Sequence, residues 1–323
     1  MVTNSKLKNK IAITCGDPNG IGAEIVLKSL SEMPLDFTPI LIGPPKVWLS
    51  QKTELELNEI SEILQAKAEK VNLFWNGENS YEPEFGKLSE QAGKISGKAI
   101  ELATELALAK KISAIVTAPI NKEALNLAGF EFKGHTDFLE FLTLTPKAVM
   151  LFCAGNFRVA LQTIHVPLRE VPNLVTKEEI IETVKVCCES LQKNFGIKNP
   201  RIAICGLNPH AGENGLLGTE EQEEILPAIS ALQKEGILAK GCFPADTVFT
   251  KFEKFDLILA MFHDQGLIPI KTAMFGKVVN FTAGLPFVRT SPDHGTAFDI
   301  AGKNLANPQS MIEAIKLAVE LTN

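Results

Sequence analysis

Ile11-Ala-Ile-Thr-Cys-Gly-Asp-Pro-Asn-Gly-Ile-Gly22 runs straight into Ala23-Glu-Ile-Val-Leu-Lys-Ser-Leu-Ser31. An almost wholly apolar run of five, a glycine-rich turn and an amphipathic stretch read as buried strand, tight turn and helix. The pattern recurs along the chain. Apolar runs at Pro39–Ile42, Val71–Phe74, Ile112–Thr117, Ala148–Cys153, Val159–Ile164, Arg201–Cys205, Leu257–Met261 and Val278–Phe281 predict further strands. Longer amphipathic segments at Ile21–Ser31, Leu57–Lys67, Ser89–Lys110, Lys177–Lys193, Thr219–Lys234 and Pro308–Leu321 predict helices, with Thr176 and Glu179 as a capping box. Alternating strand and helix implies α/β layers on a largely parallel sheet, with antiparallel strands near Ala148–Ile164.

A chain of 323 residues is longer than one hydrophobic core usually serves, so two domains are expected. The expected cuts fall near Ile120 and Asp264, giving residues 1–120 plus 265–323 as one domain and 121–264 as the other. A net charge of -6 without a basic stripe argues against nucleic-acid binding. The six cysteines form no C-x-x-C pair and sit mostly in apolar runs, as buried reduced thiols do. The start, Met1 to Lys10, is polar and lysine-rich, and no segment approaches the ~20 apolar residues of a membrane span. A cytoplasmic protein is expected.

Histidine is scarce and its placement is informative. His165 follows Val159–Ile164, His210 closes Cys205-Gly-Leu-Asn-Pro-His, and His263 follows Leu257–Met261. Three of the five histidines thus stand just beyond strand ends, the edge where open α/β sheets bind ligands. Converging there, three imidazoles would make a divalent-metal site with room for substrate; singly, each is more simply a loop histidine. Lys271, Asn280 and Arg289 fall in a glycine- and threonine-rich stretch, and Gly134-His-Thr-Asp137 marks a helix start, where free N–H groups favour phosphate. Arg289, read as lying on an apolar loop before a Ser-Pro turn, calls for an anionic partner. The glycines of Gly16–Gly22 are in the wrong order for G-x-G-x-x-G, so that segment reads as a tight turn and not as a dinucleotide loop.

The same segment, with Gly134–Phe138, Leu207-Asn-Pro-His-Ala-Gly-Glu213, Pro244-Ala-Asp-Thr247, Phe262-His-Asp-Gln-Gly266 and Val279–Ala297, resembles the 4-hydroxythreonine-4-phosphate dehydrogenase family. Asn19 and Ala23 stand where that family has Ala and Pro. The segment His294–Pro308 resembles the adenosine-binding loop of isocitrate and isopropylmalate dehydrogenases, which bind NAD without a Rossmann fold. The resemblance implies a two-domain α/β/α protomer with its active site in the interdomain cleft. It implies metal ligands His165, His210 and His263, and substrate contacts His135, Thr136, Lys271, Asn280 and Arg289. For the cofactor it implies His294, Gly295, Thr296, Ala297, Asp299 and Asn307. Asp246 and Asp264 are candidates to support the metal or relay a proton. A homodimer whose metal ligands come from both subunits is implied. The implied reaction is NAD-dependent oxidation of 4-phosphooxy-L-threonine at C3, then decarboxylation to 3-amino-2-oxopropyl phosphate, a step of pyridoxal 5'-phosphate biosynthesis. Zn, Co, Mn and Mg are the metals considered, the imidazoles suiting the first three better than Mg. The alternatives are a dehydrogenase of phosphorylated threonate or erythronate and a non-enzymatic sensor on the same fold.

Overall fold

The computed structural model describes residues 9–323; the lysine-rich start falls mostly in residues 1–8, outside the described residues. The first part of the chain runs β1 (Lys10–Thr14), α1 (Gly22–Glu32), β2 (Thr38–Ile42), α2 (Pro45–Leu49), β3 (Leu57–Ile60), β4 (Val71–Phe74), α3 (Glu90–Leu108), β5 (Ala114–Thr117), α4 (Lys122–Leu127) and α5 (His135–Thr143). Next come β6 (Val149–Ala154), β7 (Phe157–Leu161), α6 (Val171–Leu174), α7 (Lys177–Phe195), β8 (Arg201–Cys205), α8 (Leu226–Lys234), β9 (Leu238–Phe243), α9 (Ala245–Val248), β10 (Leu257–Ala260), α10 (His263–Ala273) and β11 (Val279–Ala283). The chain ends with β12 (Val288–Pro292) and α11 (Gln309–Glu320).

Two compact units result. One holds the residues up to Pro146 together with Leu285–Asn323; the other is Lys147–Gly284. The cuts expected at Ile120 and Asp264 fall inside these units. The reason is packing: α4 and α5 lie on α3, while α10 lies on β7 and β10.

In the first unit the strands run in the order β3-β4-β2-β1-β5-β12, every pair parallel. The chain leaves β1 for β2 on one side and later returns to β5 on the other. In open sheets such a reversal marks the usual ligand position, beyond the carboxyl ends of the strands concerned, here β1 and β5. The turn after β1 closes against the turn after β5, Asp17 N–H donating to the Pro119 carbonyl at 2.8 Å. Gly16 has φ +67°, and a Cβ there would lie 2.3 Å from the Pro119 oxygen, so only glycine fits.

In the second unit the order is β11-β6-β7-β10-β8-β9. β6 is antiparallel to both neighbours, as expected near Ala148–Ile164. β10 runs parallel to β7 and β8. Its core joins Phe157, Val159, Leu161, Ile258 and Ala260 to Leu267 and Ile270 of α10.

All nine expected strands exist, two with the expected bounds. Leu57–Lys67 does not form the expected helix; it is β3 followed by a short turn at Ile63–Gln65. Buried Asn72 of β4 explains this: its Oδ1 accepts from the Asn58 side chain at 2.8 Å and from Lys67 N–H at 2.9 Å. That pairing overrides a weak helical pattern. Arg289 is likewise not on a loop, because Val288–Pro292 pairs with β5 and is buried throughout.

Candidate active site

β7, β10 and β8 are adjacent and parallel, so their carboxyl ends lie at one edge of the second unit. His165 follows β7, His210 follows β8, and His263 is the first residue of α10 after β10. The three histidines singled out by the sequence therefore share that edge. The His165 and His263 rings stand 5.7 Å apart between centroids and line a cavity of about 300 Å³ with Ile164, Phe262 and Asp264. His210 does not join them in a three-donor cluster: among the described residues, no group of three or more His, Cys, Asp or Glu within the chain could hold a metal.

The donors present still suit a metal. His263 Nδ1 lies 2.7 Å from Asp264 Oδ1, and His210 Nδ1 lies 2.7 Å from Glu213 Oε1. A carboxylate on Nδ1 holds the proton there and leaves the Nε2 lone pair outward, the arrangement that orients ligating histidines. Asp264 is thus placed to orient His263. Asp246 is exposed in the first turn of α9.

A cationic cluster forms in the first unit. Arg289, 1% exposed on β12, donates to Thr117 Oγ1 at the end of β5 through Nη2 (2.6 Å) and Nε (3.2 Å). Burial pulls its pKa down to about 9, which leaves a cation at neutral pH. His135 opens α5 after Gly134, so it sits where that helix presents unpaired N–H groups. Burial, followed by the charges of Arg289 and Lys122, holds its pKa well below the ordinary histidine value. Its Nε2 is buried with no hydrogen-bond partner. A neutral imidazole, two cations and a helix N-terminus together match an oxyanion. Thr136 follows His135 on α5 and is half-buried. Lys271 lies in the last turn of α10 and Asn280 on β11, both in the second unit; the Asn280 Oδ1 is buried without a partner.

The segment His294–Asn307 is tied to the β1–α1 turn and to α1. Thr296 carbonyl accepts from Ile21 N–H at 3.1 Å, and a Cβ on Gly20 would come within 3.0 Å of Thr296. Glu24 Oε1 accepts from Ala306 N–H at 2.8 Å, and Lys28 donates to the carbonyls of Asn304 and Ala306 at 3.0 Å each. Ala297 adopts a left-handed conformation, while His294, Gly295, Asp299 and Asn307 are exposed. Lys303 Nζ donates to the Asp299 carbonyl at 2.7 Å. Asn307 Oδ1 accepts from Gln309 N–H at 2.9 Å and so starts α11.

Sequence reasoning missed Lys122, Thr117, Gln265 and Glu221. Gln265 lay within a quoted motif, but its amide role was invisible: it accepts from Met261 N–H (2.7 Å) and donates to the Gly206 carbonyl (2.8 Å), joining the ends of β10 and β8. Glu221 was hidden in an acidic helix start that reads as a solvated face.

Residues 36–318 match the family described as pyridoxal phosphate biosynthetic protein PdxA. A 4-hydroxythreonine-4-phosphate dehydrogenase of Sulfurihydrogenibium sp. is 42% identical over 320 residues, 97% of this chain and 98% of its own. The D-threonate 4-phosphate dehydrogenase of Salmonella typhimurium is 41% identical over 322 residues, 96% of this chain and 98% of its own. The crystal structure of 4-hydroxythreonine-4-phosphate dehydrogenase from Klebsiella pneumoniae superposes with a TM-score of 0.87 at 38% identity, covering 98% of this chain and 100% of that one. An isocitrate dehydrogenase from Methylococcus capsulatus, 14% identical with a TM-score of 0.50 over 97% of this chain and 85% of its own, shares the fold alone. With its family profile matched over most of its length and relatives above 40% identity along nearly all of it, this chain belongs to the pyridoxal phosphate biosynthetic protein PdxA family.

Proposed function

We propose that this protein is an NAD-dependent, divalent-metal-dependent dehydrogenase. In this reading it oxidises 4-phosphooxy-L-threonine at C3 with loss of the C1 carboxylate as CO2, giving 3-amino-2-oxopropyl phosphate for pyridoxal 5'-phosphate biosynthesis. The carrying observation is the cluster of Arg289, Lys122 and neutral His135 at the start of α5, which suits a phosphate monoester. Phosphate there gives the His135 Nε2 an acceptor, and it fixes the position of the reacting carbon. His165, His210 and His263 would hold the metal, which acts when bound as a Lewis acid on substrate oxygens. Asp264 keeps the His263 ring in register, and Asp246 or Asp264 takes the role of proton relay. The segment His294–Asn307 would hold NAD, the hydride acceptor. Lys271, Asn280 and Thr136 are the further substrate contacts of this reading. A homodimer in the cytoplasm, each metal held by residues of both subunits, completes the proposal.

The family alternative is D-threonate 4-phosphate as substrate, favoured by the nearly equal identity to both kinds of relative. The two substrates share the phosphate and differ at C2. Purified protein with NAD, a divalent metal and either compound, followed by NADH absorbance, separates them. Turnover of the amino acid at the higher kcat/KM supports the first reading, and preference for the threonate establishes the second. No NADH with NAD and no NADPH with NADP, from either compound, would leave a sensor and end the dehydrogenase reading.

A further inference from the structure

We infer that Glu221 is the positioning residue that holds His210 where a metal can use it; this rests on the metal reading proposed above. The segment carrying His210 has an unusual backbone. His210, Ala211, Gly212, Glu213 and Asn214 all have positive φ, between 45° and 78°. Four of the five are not glycine, and successive left-handed L-residues crowd Cβ against carbonyl oxygen. Such a turn persists only where its surroundings over-determine it.

Glu221 supplies the main restraint. It is 2% exposed and opens a π-helical turn, Glu221–Ile225, before α8. Its Oε1 accepts from the N–H groups of both Leu207 and Asn208, at 2.8 and 2.7 Å, and its Oε2 accepts from the Asn208 side-chain amide at 3.0 Å. All three donors belong to the residues that lead into His210. Gly212 faces the same carboxylate, since a Cβ there would lie 2.5 Å from Oε2. The carboxylate therefore fills the inner side of the left-handed turn. A buried carboxylate is costly to hold without such donors, and short charge-assisted bonds are the strong ones.

The ring of His210 has little else to hold it. Its side chain is 64% exposed, and the carboxylate it bonds, Glu213, belongs to the same turn. The position of Nε2 thus follows the position of the turn. The turn follows Glu221, while Gln265 joins its β8 root to the end of β10 beside His263. Residues that orient metal ligands from outside the shell commonly change metal affinity about tenfold or more.

The test is direct titration of the metal-free full-length protein with Co2+, read by visible absorption and by competition with a chelator. Glu221→Ala should weaken Co2+ binding about tenfold or more. Glu221→Gln, which keeps one acceptor oxygen but not the charge, should fall between it and the parent. Gly212→Ala crowds the same contact with the charge still present, so it serves if the Glu221 variants fail to fold, and it should also weaken binding. Val184→Ala, a buried change on α7, should lower the melting temperature and leave Co2+ affinity alone. Folded Glu221→Ala or Gly212→Ala protein with parental affinity, alongside an impaired His210→Ala, would overturn the positioning role. Parental affinity in His210→Ala would instead bring down the metal reading itself, and this inference with it.

Discussion

Asp17 shows most clearly what one residue is asked to bear. It sits in the turn after β1, 1% exposed, with Oδ1 accepting from Asn19 N–H at 2.8 Å and Oδ2 without a partner. Burial pushes its pKa up to about 6, against the opposing pull of the Asn19 bond. The folded state therefore binds this proton more tightly than the unfolded state does. Stability contributed by the neutral acid is fully present below the unfolded value of 3.8 and is lost as pH rises through about 6. Asp17→Asn keeps the Oδ1 acceptor and removes the charge. It should be more stable than the parent by about 1–2 kcal/mol at pH 8, less than the full shift implies because the new amide N–H lacks an acceptor. The gap should close below pH 4. Urea melts across this range measure it, and a gap independent of pH would remove burial as the cause. Arg289→Ala, by contrast, should raise the substrate KM more than it lowers kcat. The expected loss is roughly 2–4 kcal/mol in kcat/KM, the scale for removing one partner of a buried charge pair. An unchanged KM would take Arg289 out of the phosphate site.

Among the elements, α10 does two jobs, carrying His263 at its first residue and Lys271 in its last turn. Its height above the sheet depends on Gly266. A Cβ there would lie 2.6 Å from Leu161 Cδ2, and 2.9 Å from both Ala260 Cβ and Val159 Cγ1. Gly266→Ala gains helix propensity but must lift the helix or displace three core side chains, with a net cost of about 1–2 kcal/mol. Metal affinity should fall as well, since His263 moves with the helix. A calorimetric melt and a Co2+ titration check both; an unchanged melting temperature would show that α10 is not seated by this contact. The element scale is also where sequence reading was least secure. The run Arg201–Cys205 is legible because four consecutive apolar residues, Ile202 to Cys205, fit a two-sided buried strand. β3 is not, since Leu57–Ile60 becomes a strand only beside Asn72, a partner fourteen positions along the chain.

For the whole molecule, the decisive question is how three histidines serve one metal. The His165 and His263 rings lie side by side, and within the chain no third donor joins them among the described residues. If a partner's His210 completes each site in the proposed dimer, the informative pair of variants is His210→Ala with His263→Ala. A mixed dimer then keeps one intact site, and full exchange at equal ratio should restore about a quarter of parental activity. His165→Ala mixed with His263→Ala should restore nothing, because those two residues belong to the same half-site. An inactive first mixture after verified subunit exchange would place each metal within one protomer.

The sequence by itself determined the α/β alternation, nine of twelve strands, and the positions of three histidines beyond strand ends. Each of these depends on residues that are neighbours in the chain, where hydrophobic period and turn chemistry act directly. Tertiary structure alone decided that β7, β10 and β8 are adjacent, which makes three distant histidines share an edge. It also decided that Arg289 is a buried strand residue held by Thr117, and that Glu221 is a clamp instead of a surface charge. The physical reason is common to all three. Each depends on residues distant in the chain that only the packed fold brings together, so no local period or turn signal carries it.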